Sequence, residues 1–283
     1  MTLGEVRTEI DRVDGQIKEL FAQRMRLADN VAAIKAETAD AIFKPDREEI
    51  IISSLTKDVD SSIVKEYTAL IKRIMEISRK YQYGRTLALR DCFPFSYETE
   101  APAVDRLAMR KQELYICDMY SKDRVVTVNT FDEIGSMVSG GSVSAGAGIL
   151  ENISFGVSDA LHQMLTKYKL YINGCYVREE DGVMKKVAVF SKKLVVLPNH
   201  NRLKIVFVCP NRSGSLSSIL SMISDYGVNL TEIHSLPNGQ RENWNYEFFL
   251  ELDMNLLSQE GRALIFQLSE ETEKLEILGS YEI

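Results

Sequence analysis

The chain has 283 residues, 45% of them hydrophobic and 27% charged, with a net charge of −7 and a pI near 5.2. That suits about two or three domains of ordinary globular composition, and the acidic balance argues against a general nucleic-acid or anionic-membrane binder, so an anionic ligand would need a local cationic site. No stretch approaches ~18 uninterrupted apolar residues, and the charged start MTLGEVRTEIDRVDG has no signal-peptide core, so a cytoplasmic protein without a membrane-spanning helix is expected.

Residues 3–36 keep a helical period, with Thr2 placed to cap and Glu5 three positions on, a capping-box spacing. Counting in sevens, one seam runs Leu3, Ile10, Ile17, Arg24, Val31 and the other Val6, Val13, Leu20, Leu27, Ile34. Nine of these ten positions are aliphatic and one is an arginine. At ~1.5 Å per residue the helix is roughly 50 Å long, more than a small domain is wide, so it must pack against something equally long. Pro45 fits the first turn of a second helix, DREEIIISSL. A third helix is expected through about Gln82, with Ile63, Tyr67, Leu70, Ile74, Ile77 and Tyr81 on one face and Gly84 as its end.

Beyond Gly84 the texture changes. LYICDMY, RVVTVNT, VSAGAGIL, LYINGCYV and VAVFSKKLVVL read as strands, with FDEIGSMVSGG and SDALHQMLTKY as helices between them, an α/β alternation. LPNHN near 197–201 marks a boundary. After it, RLKIVFVC, SGSLSSILSMISDYG, NLTEIHSLP, NYEFFLELD, SQEGRALIFQLSEET and KLEILGSYE read as βαββαβ, a ferredoxin-like order. The expected organisation is therefore an all-α domain over 1–84, an α/β region over 85–199 and a βαββαβ domain over 200–283.

The four cysteines (Cys92, Cys117, Cys175, Cys209) form no CxxC pair and read as reduced thiols. The three histidines (His162, His200, His234) have no metal-ligand spacing, so no structural or catalytic zinc site is expected. The chemistry-bearing pattern is in the helices. A charge on an apolar seam costs free energy unless it is paired. Arg24 and Lys35 are 11 residues apart, on nearly one face, with backbones ~16 Å apart, so their side chains can converge on one small anion. Arg7 is ~42 Å from Lys35, so it reaches the same ligand only from another copy of the chain, as in an antiparallel pair of long helices. Taken singly, Arg24 also fits a snorkelling rim arginine, Ser78 a small packing residue and Gln82 a solvent-facing one.

Together, RxxID at Arg7–Asp11, RM at Arg24-Met25, VAxxK ending at Lys35, PxRE ending at Glu48 and ExSxxxQ from Glu76 to Gln82 resemble the all-helical class of chorismate mutases over residues 3–83. The resemblance implies an intertwined dimer of three-helix subunits that rearranges chorismate to prephenate in one step, without cofactor. It implies that Arg7 from the partner chain, Arg24 and Arg47 bind carboxylates. Lys35 and Gln82 bond the ether oxygen, Glu48 accepts from the ring hydroxyl, and Ser78 assists at a carboxylate. Lys44 stands where the family often has an acidic residue.

The continuation resembles the bifunctional mutase–prephenate dehydratase proteins, with Glu151, Asn152 and Gly156 of ILENISFG matching that family's PIENxxxG segment. The region 84–200 is too short for the family's two lobes, and its Thr-Arg-Phe motif falls on Lys185-Lys186-Val187, so no dehydratase activity is expected. The tail resembles an ACT regulatory domain, with SGSL at the family's GAL-type turn and HSLP at its ESRP segment. An amino-acid effector, phenylalanine, is then expected at Asn211, Ser213, Gly214, Ser215, Leu216, Asn229, His234 and Ser235, helix-start amides taking its carboxylate. Rival readings are a chain with both activities, a non-catalytic amino-acid-binding subunit, and an isochorismate lyase on the same helical fold.

Overall fold

The computed structural model describes residues 1–116, 120–154, 156–209, 213–237 and 246–283. It divides into two compact units, Met1–Phe93 and Pro94–Ile283. Among the described residues no helix is long and apolar enough to cross a membrane.

The first unit holds α1 (Leu3–Thr38), α2 (Pro45–Thr56) and α3 (Val64–Leu89). The capping box at the start of α1 forms on both sides: Thr2 N donates to Glu5 Oε2 at 2.7 Å and Glu5 N to Thr2 Oγ1 at 3.3 Å. α1 ends where Ala39 adopts a left-handed φ of 56°. Pro45 occupies the first turn of α2, where its missing N–H costs nothing. α3 continues through Gly84 to Leu89, one turn further than its glycine suggests. A single glycine costs a helix only about 1 kcal/mol, and the good helix formers of RTLAL carry the ladder on until Arg90 turns extended. α1 buries only Ala28 and Ala32, against the helix that buries Met75, Ser78, Arg79, Tyr83 and Thr86. The small alanines let α3 come close at the C-terminal half of α1. The seam residues Leu3, Ile10, Ile17, Leu20 and Leu27 stay 51–67% exposed in the single chain.

The second unit opens with β1 (Leu107–Arg110), β2 (Val125–Val128), α4 (Phe131–Ser139), β3 (Ala145–Asn152), β4 (Gly156–Val157), α5 (Asp159–Tyr168), β5 (Tyr171–Glu180) and β6 (Val183–Ser191). It continues with β7 (Arg202–Val208), α6 (Ser215–Asp225), β8 (Asn229–Pro237), β9 (Tyr246–Asp253), α7 (Gln259–Glu271) and β10 (Lys274–Tyr281). One sheet runs β2-β1-β3-β6-β5-β10-β7-β9-β8, with β4 added to β3. The ladders of β1 with β2 and β3 are parallel, and the last four strands pair antiparallel in the order β10-β7-β9-β8. The run LYICDMY is no strand where it is described: Lys111–Ile116 forms a 3-10 helix, and the strand lies just before it in LAMR, with 117–119 outside the described residues. The strand expected in VAVFSKKLVVL starts earlier, at Val183, and ends at Ser191.

Glycines set two of the close approaches. A Cβ on Gly146 would lie 2.4 Å from the Phe190 ring and 2.6 Å from Ile134, so the small residues of VSAGAGIL do admit a tightly packed layer. A Cβ on Gly279 would lie 2.3 Å from the Ile172 carbonyl oxygen, at the parallel contact where β10 meets β5 and the sheet passes from its first half to its second.

Candidate active site

The three helices and the loop before α2 enclose a cavity of about 280 Å³ lined by Arg24, Val31, Lys35, Asp40, Ile42, Lys44, Arg47, Glu48, Ile51, Met75, Ser78, Arg79 and Gln82. Six of the seven residues singled out in the sequence are there. The helix register brings Arg24 and Lys35 to one face of α1, the first turns of α2 supply Arg47 and Glu48, and α3 supplies Ser78 and Gln82 four apart. Arg7 is not among them: it lies on the exposed N-terminal half of α1, ~25 Å along the axis from Arg24.

Arg24 Nη1 donates to Ser78 Oγ and, at 3.4 Å, to the Ile74 carbonyl. The seam arginine is therefore held by α3 and aimed across the cavity. Burial draws its guanidinium below the ordinary value, with Glu48 opposing. Lys35 Nζ donates to the Ile42 carbonyl at 2.9 Å. Burial is also the main cause that lowers the Lys35 ammonium; Asp40 and Glu48 oppose this, and Lys44 and Arg47 add repulsion. Gln82 donates from Nε2 to the Ser78 carbonyl at 3.2 Å, which leaves its second N–H, while its buried Oε1 has no partner. Lys44 pairs with Asp40 at 2.5 Å, and that bond holds the Asp40 carboxyl below its usual range.

The sequence reading missed Arg79. It is 7% exposed, and its Nη1 donates to both oxygens of Glu48 at 2.6 Å. Its guanidinium lies 4.8 Å over the Phe43 ring. In ISRKYQ an arginine one position past Ser78 looks solvated; the signal that could have found it is its place next to a site serine on the face that α3 turns toward α2. With Arg79 counted, five cations (Arg24, Lys35, Lys44, Arg47, Arg79) and two carboxylates (Asp40, Glu48) line the cavity. The site suits a small dianion. Arg24, Lys35 and Gln82 are held by neighbours before any ligand arrives, the condition under which a developing negative charge is best stabilised.

The residues expected to bind an effector are not gathered in this way. Asn211 lies outside the described residues. Ser213, Gly214, Asn229 and Ser235 are exposed, and Gly214 takes φ 89° as the N-cap of α6, with Ser215 and Leu216 opening that helix. His234 turns inward: its Nδ1 is 2.9 Å from Glu232 Oε1, and its ring centroid is 4.9 Å from that of His162. Sequence spacing could not see this meeting. Among the described residues His162, Glu232 and His234 form the one grouping close enough to hold a metal ion, but both Glu232 oxygens are engaged, by His234 and by buried Lys204 at 2.7 Å.

The comparisons with known proteins agree with the geometry. Residues 6–83 match the family Chorismate mutase type II. A chorismate mutase of Methanocaldococcus jannaschii is 34% identical over 85 residues, 28% of this chain and 86% of that protein. A bifunctional chorismate mutase/prephenate dehydratase of Aquifex aeolicus is 22% identical over 356 aligned positions that span 99% of this chain and 97% of that one, so the relative has segments that a 283-residue chain lacks. A crystal structure of prephenate dehydratase from Arthrobacter aurescens in complex with L-Phe superposes with a TM-score of 0.52 at 13% identity, over 63% of this chain and 90% of that one. The fold of the α/β region is therefore dehydratase-like.

Proposed function

The chain belongs to the chorismate mutase family and is an enzyme of that class, and from this premise we propose that it converts chorismate to prephenate in sites shared between two copies, under the control of its tail. The observation that carries the reading is the convergence of Arg24, Lys35, Arg47, Glu48, Ser78 and Gln82 on one cavity, with Arg7 left on an uncovered helix. An antiparallel second copy laid along the apolar seam would cover Leu3, Ile10, Ile17 and Leu20 and bring its own Arg7 to the cavity.

In that site Arg24, Arg47 and Arg7 of the second copy hold the two substrate carboxylates, Ser78 assisting, and fold the enolpyruvyl arm over the ring. Glu48 accepts from the ring hydroxyl. As the C–O bond breaks and the new C–C bond forms, negative charge grows on the ether oxygen. The Lys35 ammonium and the free N–H of Gln82 meet it, and these bonds strengthen in the transition state. The reaction needs no nucleophile, proton relay or cofactor.

We read the dehydratase-like region, expected over 85–199 and falling within the second unit from Pro94, as shortened and without activity, and 200–283 as an ACT domain. Lys185 and Lys186, at the positions of the family's catalytic motif, pair in the ladder with Asn152 and Glu151. Lys186 Nζ bridges Glu151 at 3.0 Å and Glu251 at 3.3 Å, which supports a structural role for this position in place of a catalytic one. The tail's element order and strand order fit an ACT domain, and the L-Phe complex of the dehydratase with a similar fold supports phenylalanine as the effector we propose for it.

The test is purified protein with chorismate, following the loss of its ultraviolet absorbance and assaying prephenate and phenylpyruvate with and without phenylalanine. Prephenate alone, with the rate altered by phenylalanine, is expected. Phenylpyruvate would restore the dehydratase, and no turnover would leave a regulatory subunit.

A further inference from the structure

Glu48 is the one lining carboxylate available to a substrate hydroxyl. The other, Asp40, is taken by Lys44 at 2.5 Å, and Lys44 itself stands where the family often has an acid. A single carboxylate on the first turns of α2 has freedom about its side-chain torsions, and a hydroxyl acceptor must be held to a fraction of an ångström. Arg79 removes that freedom. Its Nη1 is equidistant from Oε1 and Oε2, 2.6 Å each, so the carboxylate cannot turn without losing one bond. The arginine is held in its turn: its side chain is 8% exposed, against 24% for that of Glu48, and its guanidinium lies on the Phe43 ring. Phe43 belongs to the loop that Lys35 grips through the Ile42 carbonyl. A carboxylate has about four lone-pair positions, so two remain for a ligand once Arg79 is satisfied.

We propose that Arg79 is a positioning residue for the mutase reaction, a clamp that fixes the Glu48 carboxylate where it receives the substrate's ring hydroxyl. The proposal rests on the role given to Glu48 above. Arg79 acts through Glu48, which sets its role apart from that of Arg24 and Arg47.

A double-mutant cycle on kcat and KM for chorismate tests it, with Arg79→Gln, Arg79→Lys, Glu48→Gln and the Arg79→Gln/Glu48→Gln pair, each checked for native helical content by circular dichroism. Arg79→Gln is expected to lower kcat/KM roughly ten- to a hundredfold, mainly in kcat, the scale of a misplaced catalytic group. The double variant is expected to fall no further than Glu48→Gln alone, because a clamp with nothing to hold has no further effect. Arg79→Lys, which keeps a charged donor, recovers most of the loss. The double variant removes both members of the Arg79–Glu48 pair together, and Arg79→Lys keeps the charge, so the two report even if Arg79→Gln does not fold. Losses that multiply in the double variant, or an Arg79→Gln enzyme with unchanged kcat/KM, would overturn the clamp. A wild-type protein that does not turn over chorismate, or a Glu48→Gln enzyme with normal kinetics, would instead strike the reading of the site itself.

Discussion

Lys35 illustrates how one side chain serves both scaffold and chemistry. Its ammonium has three N–H groups; one holds the Ile42 carbonyl, and in the proposed site the others are left to meet the ether oxygen. Lys35→Ala and Gln82→Ala should each lower turnover by about 10²-fold or more, the scale of removing one donor from a developing oxyanion, measured as kcat on chorismate. The pH dependence has a definite sign. In the proposed mechanism Lys35 acts protonated, and burial lowers its pKa from 10.5. Activity should therefore fall as pH rises, with a midpoint below that of free lysine. Lys35→Arg should move this alkaline limb upward, whatever its effect on the plateau. A limb unchanged in that variant would assign it to another group. At this scale the sequence showed much of the site, because Arg24 in an apolar seam is a visible anomaly. It did not show the Arg79–Glu48 pair, because an arginine on a helix carries no mark of burial until a second helix covers it.

At the scale of elements, the joint between β5 and β10 depends on Gly279. With 2.3 Å between its would-be Cβ and a backbone oxygen, no rotamer can relieve the clash. Gly279→Ala should destabilise the second unit by about 1–3 kcal/mol, read from urea unfolding, while the helical content of the first unit persists. A second prediction concerns α5. Burial, reinforced by Lys204, lowers the His162 imidazole from 6.5 to about 3. The unfolded chain takes up this proton below pH 6.5 and the folded one refuses it until about 3, so stability drops as pH falls through that window. The full effect is on the order of 5 kcal/mol. Glu232 adds to the slope: burial works to raise its carboxyl, but bonds from His234 and Lys204 hold it at about 2, a stabilisation lost below its ordinary 4.5. His162→Phe should flatten the difference between urea midpoints at pH 7 and pH 4; an unaltered difference would show that the histidine is not responsible. Elements with a long period or strong turns were legible: α1, α5, α6, α7 and the last strands lie close to where their patterns put them. The four-residue strand β1 was not, since LAMR is too short to show alternation, and the apolar run after it invited the strand that β1 supplies. The meeting of His162 and His234 is purely tertiary, made by laying α5 against β8.

For the whole molecule, the organising fact is an apolar seam that the single chain leaves in water. α1 spans 36 residues yet buries only two alanines, which is no free-standing arrangement for a 50 Å helix. We propose that two copies lay their α1 helices antiparallel, each completing the other's site, with Arg7 acting across that interface. The measurement that tests this most directly is complementation. Arg7→Ala and Lys35→Ala chains, each inactive alone, are co-expressed and assayed for conversion of chorismate to prephenate. A mixed dimer carries both lesions in one site and none in the other, so activity should return to about a quarter of wild type for random pairing. If the mixture stays as inactive as its parents while forming mixed dimers, Arg7 does not serve the partner's site and the account of a shared site is wrong.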